Sequence, residues 1–281
     1  MIFKKSIKQE TRVSVILPNY NYGKYLLKRI KGIENQTYPI HELIILDDMS
    51  TDNSQEIINR IKFKYPTKTI FNEKNSGNVF KQWSKGIKNA TGDLIWIAEA
   101  DDMANKRFLE NLVPCFKSDD TILAFCDSKQ INEHGKTIRN SCATLADDYN
   151  SGRYKNDYFN KGTDELKKYL IIKNYIYNAS GTLIKKGNYE KILNECTNYK
   201  LAGDWHFYIE LLKLGNIAYV SKILNSHRIH QNSVTKSTNK QKHYDEIVDI
   251  QENLKKCVKI DNETEKQINF QRELLKKVLG L

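Results

Sequence analysis

The chain has 281 residues, 40% of them hydrophobic and 28% charged, enough to bury one large core, or one core with a small appendage. Five cysteines (Cys115, Cys126, Cys142, Cys196, Cys257) lie far apart without a C-x-x-C pair, which argues against a disulfide framework or a zinc ribbon and for reduced thiols in a cytosol. The net charge of +11 is spread as excesses of +6, +4 and +1 over residues 1–99, 100–239 and 240–281, so no basic stripe points to nucleic acid; the diffuse field suits anionic small molecules or an anionic membrane surface.

The N-terminal MIFKKSIKQETR is charged and lacks an apolar h-region, and no window approaches the ~18 apolar residues of a spanning helix, which argues against export and membrane insertion. From there VSVIL (13–17), ELIIL (42–46), TIF (69–71) and LIWIA (94–98) read as strands. Helical-period segments at 24–35, 53–63 and 78–89 lie between them. This βαβ alternation predicts a parallel sheet, and the continuous apolar runs predict helices on both of its faces. Pro18 is expected to end the first strand, and STDNS (50–54) to start a helix with Ser50 or Thr51 as N-cap. A helix near 105–117, a strand at 122–126, a turn at Gly135 and a long irregular segment at 139–163 follow. A strand over 180–186, a helix over 202–215 and a short strand at 217–220 come next, then a tail of one or two amphipathic helices broken near Asp261-Asn262.

Ligands of such sheets bind outside the carboxyl ends of the strands. Three polar clusters fall on that rim: Pro18-Asn19-Tyr20, Asp47-Asp48 and Glu99-Ala100-Asp101-Asp102. Three carboxylates within four residues repel one another, and a hard divalent cation, Mg²⁺ or Mn²⁺, removes that cost; a helix start is the structural alternative. On the same rim a carboxylate of Asp47-Asp48 can accept from a base N–H or a ribose hydroxyl while Tyr20 offers a face for stacking. Neither G-x-G-x-x-G nor a P-loop follows the first strand, so the nucleotide would be held by stacking, carboxylates and a metal.

In order, VSVILPNYNYGKYL, NQTYP, ELIILDDMSTDNS, NSGN, ATGDLIWIAEADD, AGDW and RIHQNSVT resemble the family 2 glycosyltransferases over roughly residues 12 to 235. The resemblance implies an α/β, GT-A Rossmann-like, mainly parallel sheet flanked by helices: a transferase domain over 1–238 and a C-terminal helical extension over 239–281. It implies a cytosolic-facing enzyme of cell-surface polysaccharide synthesis that moves a sugar, with inversion, from a nucleotide-sugar donor, UDP favoured, to a hydroxyl of a glycan or lipid-linked acceptor, aided by Mn²⁺ or Mg²⁺. Carried over, Pro18 and Tyr20 line the nucleoside pocket, and Asp48, with Asp47 as a second candidate, binds the base. Asp101 contacts ribose or metal, Asp102 is the principal metal ligand, and Glu99 takes the first position of the D-x-D-type motif. Asp204 is the general base with Trp205 beside the acceptor, and His230 and Arg228 contact metal or diphosphate. The family's Ala-Arg-Asn is replaced by FKQWSKG, which leaves that arginine's role vacant or to Lys81 or Lys85.

Rival readings are weaker on the residues. A sugar-1-phosphate nucleotidyltransferase needs a Gly-rich basic loop that PNYNYGKY lacks, and a receiver-type domain leaves AGDW and RIH unexplained. His206 and His227 are read as bystanders, and Trp83 and Trp96 as packing. The tail's stripe of Ile247, Ile250, Leu254, Val258, Leu274, Leu275 and Val278 must be covered, by the catalytic domain by default. A partner chain, as in a homo-oligomer or larger polymerase, or an anionic membrane contacted peripherally, is the alternative.

Overall fold

Val13, Val15 and Leu17 face one side of the first strand and Ser14 and Ile16 the other, and both sides are buried. That is why the strand reads as an unbroken apolar run. A computed structural model describes residues 10–146, 152–230 and 239–281. Its elements are β1 (Val13–Asn19), α1 (Gly23–Glu34), β2 (Glu42–Asp47), α2 (Ser54–Arg60), β3 (Thr67–Phe71), α3 (Val79–Asn89), β4 (Leu94–Ile97) and β5 (Met103–Ala104). They continue with α4 (Phe108–Leu112), β6 (Thr121–Ile131), β7 (Thr137–Arg139), α5 (Ala143–Ala146), β8 (Tyr158–Asn160), α6 (Gly162–Glu165) and β9 (Thr182–Lys185). The last are α7 (Glu190–Cys196), α8 (Gly203–Leu212), β10 (Asn216–Arg228), α9 (Lys240–Lys255) and α10 (Asn262–Leu279).

Among the described residues the strands form one mixed sheet in the order β3-β2-β1-β4-β9-β6-β10-β5, with β7 on β6 and β8 on β10. The first four neighbours are parallel, β9 runs antiparallel between β4 and β6, and β6 pairs with β10 in parallel. Two apolar clusters cover the two faces. One holds Val15, Leu17, Leu26, Ile30 and Trp96 beneath α1, α2 and α4. The other holds Ile16, Trp83, Phe207 and Ile209 beneath α3, α7 and α8.

Several expectations are corrected. Pro18 does not end β1, which runs on to Asn19 opposite Asp47. Ile16 O accepts from Ala98 N, so the even positions of β1 face β4, and β4 has ended by Pro18; its missing donor is on an open side. The second helix starts at Ser54 behind Asn53, whose side chain makes no capping bond; Ser50 is taken by Asp47 and Asn19, and Asp52, just outside the helix, accepts from Ser54 N at 2.9 Å. The 105–117 helix is α4 with a separate 3₁₀ turn over Val113–Lys117. The 139–163 segment carries elements of its own: β8 joins the sheet, and Arg153 lies 4.1 Å over the Tyr158 ring and 3.4 Å over the Tyr169 ring, paired to buried Glu165 at 2.6 Å. The short strand at 217–220 extends to Arg228, bulged between Val220 and Ile223.

The tail forms two helices that pack on the domain. Ile250, Leu254 and Ile268 join the core beneath α8, each such burial contributing about 1.5–3 kcal/mol. Glu246 accepts the backbone N–H groups of Lys200, Leu201 and Ala202 at 2.8–3.2 Å, fastening α9 to the segment that opens α8. Phe270, Leu274 and Val278 remain exposed on the outer face of α10. Among the described residues no helix is long and apolar enough to cross a membrane.

Candidate active site

The site is built where β10 ends against the turn after β4. Arg228 donates its backbone N–H to Asp102 Oδ1 at 2.8 Å, its Nε to Asp101 O at 2.6 Å and its Nη1 to the carbonyls of Asn132 and Glu133. The arginine is buried, with its guanidinium 4.4 Å over Tyr25. Its bonded donors clamp three chain segments together.

Two residues further, His230 Nε2 lies 3.0 Å from Asp101 Oδ2 and 3.4 Å from the Tyr22 hydroxyl. Asp101 Oδ1 accepts nothing among the described residues. Asp102 is different: Oδ1 takes Arg228 N–H and Oδ2 takes Asn178 Nδ2 at 2.7 Å. Glu99 accepts from Trp83 Nε1 at 2.9 Å. Burial and then repulsion by Asp101 push the Glu99 carboxyl up to about 8 and raise Asp102 as well. Arg29, buried on the inner face of α1, supplies positive charge beneath them; burial lowers its pKa to about 10, against the pull of Asp102, Asp101 and Glu99. It donates to Ser180 Oγ, which also accepts Glu99 N–H.

Among the described residues no three His, Cys, Asp or Glu side chains converge into a closed metal cage. The donors nevertheless fit a hard cation: a carboxylate with one unoccupied oxygen beside an imidazole, and two further acids that repel it. Mg²⁺ and Mn²⁺ are commonly completed by water and substrate oxygens.

The first two rim clusters are pinned down internally. Asp47 is fully buried and accepts from Asn19 Nδ2, Ser50 N, Ser50 Oγ and Gln55 Nε2. Asp48 accepts from Asn72 Nδ2, Ser76 N, Ser76 Oγ and Gln82 Nε2, and so holds the loop ahead of α3. The turns between them need unusual backbone: Asn21 at φ 59° and Met49 at φ 61° are left-handed. Asn21 Oδ1 is fixed by Thr51 N at 2.7 Å, which leaves Tyr20 projecting 47% exposed over the rim. Pro18, two residues before it, is buried. Lys81 is exposed on α3, and Lys85 donates to Asn72 Oδ1.

Asp204 sits in the first turn of α8, and its Oδ1 accepts the Trp205 N–H at 2.7 Å. Burial lifts its carboxyl to about 6, and no cationic side chain pairs with it among the described residues. Gly203 is required just before it, since a Cβ there would lie 2.4 Å from the Phe80 ring. Trp83 packs edge-on to Phe207 of α8 at 5.8 Å, so one tryptophan touches both the acidic turn and the Asp204 helix. Buried Tyr208 is raised well above its ordinary value by burial, then by the charges of Asp204 and Glu99.

Sequence reasoning overlooked Arg29, Asn178, Ser180, Tyr22 and Gln82 and read Trp83 as packing alone. One signal was available: Arg29 lies three residues after Leu26 and next to Ile30, a cation on the apolar face of α1. Asn178 and Ser180 carry no comparable pattern. His227, read as a bystander, is among the groups that oppose the rise of Asp102, which burial and Asp101 drive. Of RIHQNSVT, residues 231–235 lie outside the described residues.

Residues 14–192 match the model of the glycosyl transferase family 2. The chain is 36% identical over 100 residues to glycosyltransferase GlyG of Streptococcus pneumoniae, covering 36% of this chain and 33% of that protein. It is 39% identical over 105 residues to the poly(ribitol-phosphate) beta-N-acetylglucosaminyltransferase TarP of Staphylococcus aureus, 36% of this chain and 32% of that one. The match thus spans about a third of the length of these relatives. The fold matches S. aureus TarS 1-349 in complex with UDP-GlcNAc at a TM-score of 0.63 and 19% identity, over 92% of this chain and 70% of that one. The mannosyltransferase PcManGT of Pyrobaculum calidifontis, in complex with GDP-Man and Mn²⁺, matches at 0.65 and 13% identity, over 96% and 73%.

Proposed function

From the premise that the chain belongs to glycosyl transferase family 2 and is a glycosyltransferase of GT-A fold, we propose that it transfers a sugar with inversion from a UDP-sugar to a hydroxyl of a glycan or lipid-linked acceptor. The observation that carries this reading is Asp204: a carboxylate lifted to about 6, without a cationic partner among the described residues and joined through Trp83 and Phe207 to the Glu99–Asp102 turn. A base tuned near neutrality takes a hydroxyl proton efficiently while still ionised at working pH.

The remaining roles follow the side chains' freedom. Tyr20 stacks on the uracil over a floor of Pro18, and Asp47 and Asp48, both engaged internally, act on the base through the two turns they fix. Asp101 and His230 hold the divalent cation, Asp102 holds Asp101 and Arg228 in place, and Glu99 tunes the cluster's charge. The cation, when bound, neutralises charge growing on the leaving diphosphate. Lys81 reaches the outer diphosphate oxygens. Residues 239–281 extend the 1–238 transferase domain on its acceptor side. TarP acts on a ribitol phosphate polymer, as its name states, and the same general class, a cell-surface glycopolymer made at the cytosolic face, is our reading for this acceptor.

Calorimetric titration of UDP and of GDP, each with and without Mn²⁺, tests the donor site. UDP binding that needs Mn²⁺ and is lost in Asp101→Ala supports it. Absence of nucleotide binding under every condition removes it.

A further inference from the structure

A cavity of about 350 Å³ opens beside Asp204, between α8, the chain at 172–177 and the C-terminal helices. One wall is Ile172, Leu201 and Trp205 of the transferase domain, and the facing wall is Ile247 of α9 and Leu275 of α10. The packing that closes the cavity is fixed by hydrogen bonds at its edge: Gln251 Nε2 donates to Ile172 O at 2.9 Å, and Arg272 Nε donates to Gln251 Oε1 at 2.7 Å. Arg272 is spent further on Glu252 at 2.7 Å, and Lys173 Nζ on Leu145 O at 2.6 Å. Arg272 and Lys173 of the lining are therefore engaged with the protein, and the open surface is mostly apolar.

One lining amide lacks an acceptor among the described residues. Gln271 lines the cavity, is 9% exposed, and its Nε2 has no hydrogen-bond partner among the described residues. A buried amide N–H without an acceptor costs on the order of 1–3 kcal/mol, a cost that a ligand oxygen would remove. The cavity thus presents a mostly apolar surface, an amide donor in want of an oxygen, and a carboxylate at its wall.

We propose that this cavity is an acceptor subsite, taking the apolar aglycone of a glycoside whose reacting hydroxyl meets Asp204 and whose glycosidic or linker oxygen meets Gln271. The inference rests on the reading of Asp204 as the base. It assigns α9 and α10 a role in acceptor choice: an acceptor with an alkyl or prenyl-like tail is retained, and the bare sugar is not. The chemistry needed is an amphiphile with a sugar hydroxyl at one end, since a purely polar glycan leaves the Ile172, Ile247 and Leu275 surfaces against water.

The test uses the full chain labelled with ¹⁵N, saturated with UDP and Mn²⁺, and titrated with n-octyl β-D-glucopyranoside and methyl β-D-glucopyranoside below micelle formation. The expected result is at least tenfold tighter binding of the octyl glycoside, with shifts at the Gln271 side-chain amide and the Trp205 indole. Leu275→Trp, which fills the cavity, should weaken the octyl glycoside tenfold or more at unchanged UDP affinity; Leu275→Phe is the milder filling should the first fail to fold. Equal binding of the two glycosides, shifts confined to the outer Phe270–Val278 face of α10, or insensitivity to the filling variants overturns the proposal. Failure of UDP itself to bind would instead strike the donor-site reading, so the two failures are separable.

Discussion

The indole N–H of Trp83 donates to Glu99 Oε1 at 2.9 Å, and the same ring packs against Phe207 at 5.8 Å, so a helix-borne tryptophan bridges the acidic turn and the helix that carries Asp204. Glu99 is held near 8 by burial and by Asp101, and this bond only partly offsets that. A carboxyl raised in the folded state takes up a proton on folding. Its cost is absent below the unfolded pKa near 4.5, grows as pH rises, and is complete once pH passes about 8. Glu99→Gln keeps the oxygen that Trp83 needs and removes the titration. Denaturant titrations of the metal-free protein should show the variant gaining stability over wild type from pH 5 to 8 and no further gain from 8 to 9. A constant difference across that range would contradict the assignment.

Asp101 and Asp102 are neighbours with different work. Asp102 has both oxygens filled by Arg228 N–H and Asn178 Nδ2, so Asp102→Asn turns an amide N–H₂ toward a donor and should cost about 1–3 kcal/mol in stability. Asp101 faces His230 with one oxygen open, so Asp101→Asn should leave the midpoint of unfolding nearly unchanged and remove the Mn²⁺-dependent part of UDP affinity. Unfolding curves and calorimetry on the two variants separate these roles, and the reverse pattern would return the principal ligand to Asp102.

The parallel core of β1, β2 and β4 was readable because these strands are buried on both faces and read as nearly continuous apolar runs, and the rim carboxylates were readable because strand ends are where such sheets converge. What escaped is what depends on distant pairing. Asn178 reaches Asp102 across 76 positions, and Arg228 reaches Asp101 across 127; no local pattern encodes either. Pro18 and Ser50 were misread for a related reason: local propensity marks them as a strand end and a helix cap, whereas the missing β4 neighbour and the Asp47 carboxylate decide their state. β10 was cut short because its second half is polar and bulged, although it delivers Arg228 and the way to His230.

Gly203 sets the distance between α8, the helix that carries Asp204, and α3. An added Cβ would lie 2.4 and 2.6 Å from Phe80 ring atoms and 2.8 Å from the Cys196 carbonyl oxygen, and the backbone contact cannot swing aside. Gly203→Ala should cost about 1–3 kcal/mol through overpacking. It should also lower kcat more than it weakens UDP binding, because the displaced group is Asp204 and not the nucleotide rim. Transfer kinetics beside UDP titration check this; a loss of UDP affinity matching the loss of kcat would place the disturbance elsewhere.

Asp204 makes the sharpest kinetic prediction. Burial raises its carboxyl to about 6, with the Trp205 N–H as the main opposing influence, and proton abstraction requires the ionised form. kcat/KM should therefore climb about tenfold per unit below pH 6 and level off above it, an acid limb set by the free enzyme. Asp204→Asn keeps the oxygen that accepts from Trp205 and removes the base, so turnover should fall by about 10² to 10⁴ while UDP still binds. A pH profile that keeps its inflection near 6 in Asp204→Asn would show that the limb belongs to another group. Retention of more than about a tenth of wild-type turnover, short of the loss expected for a general base, would leave the proton to water.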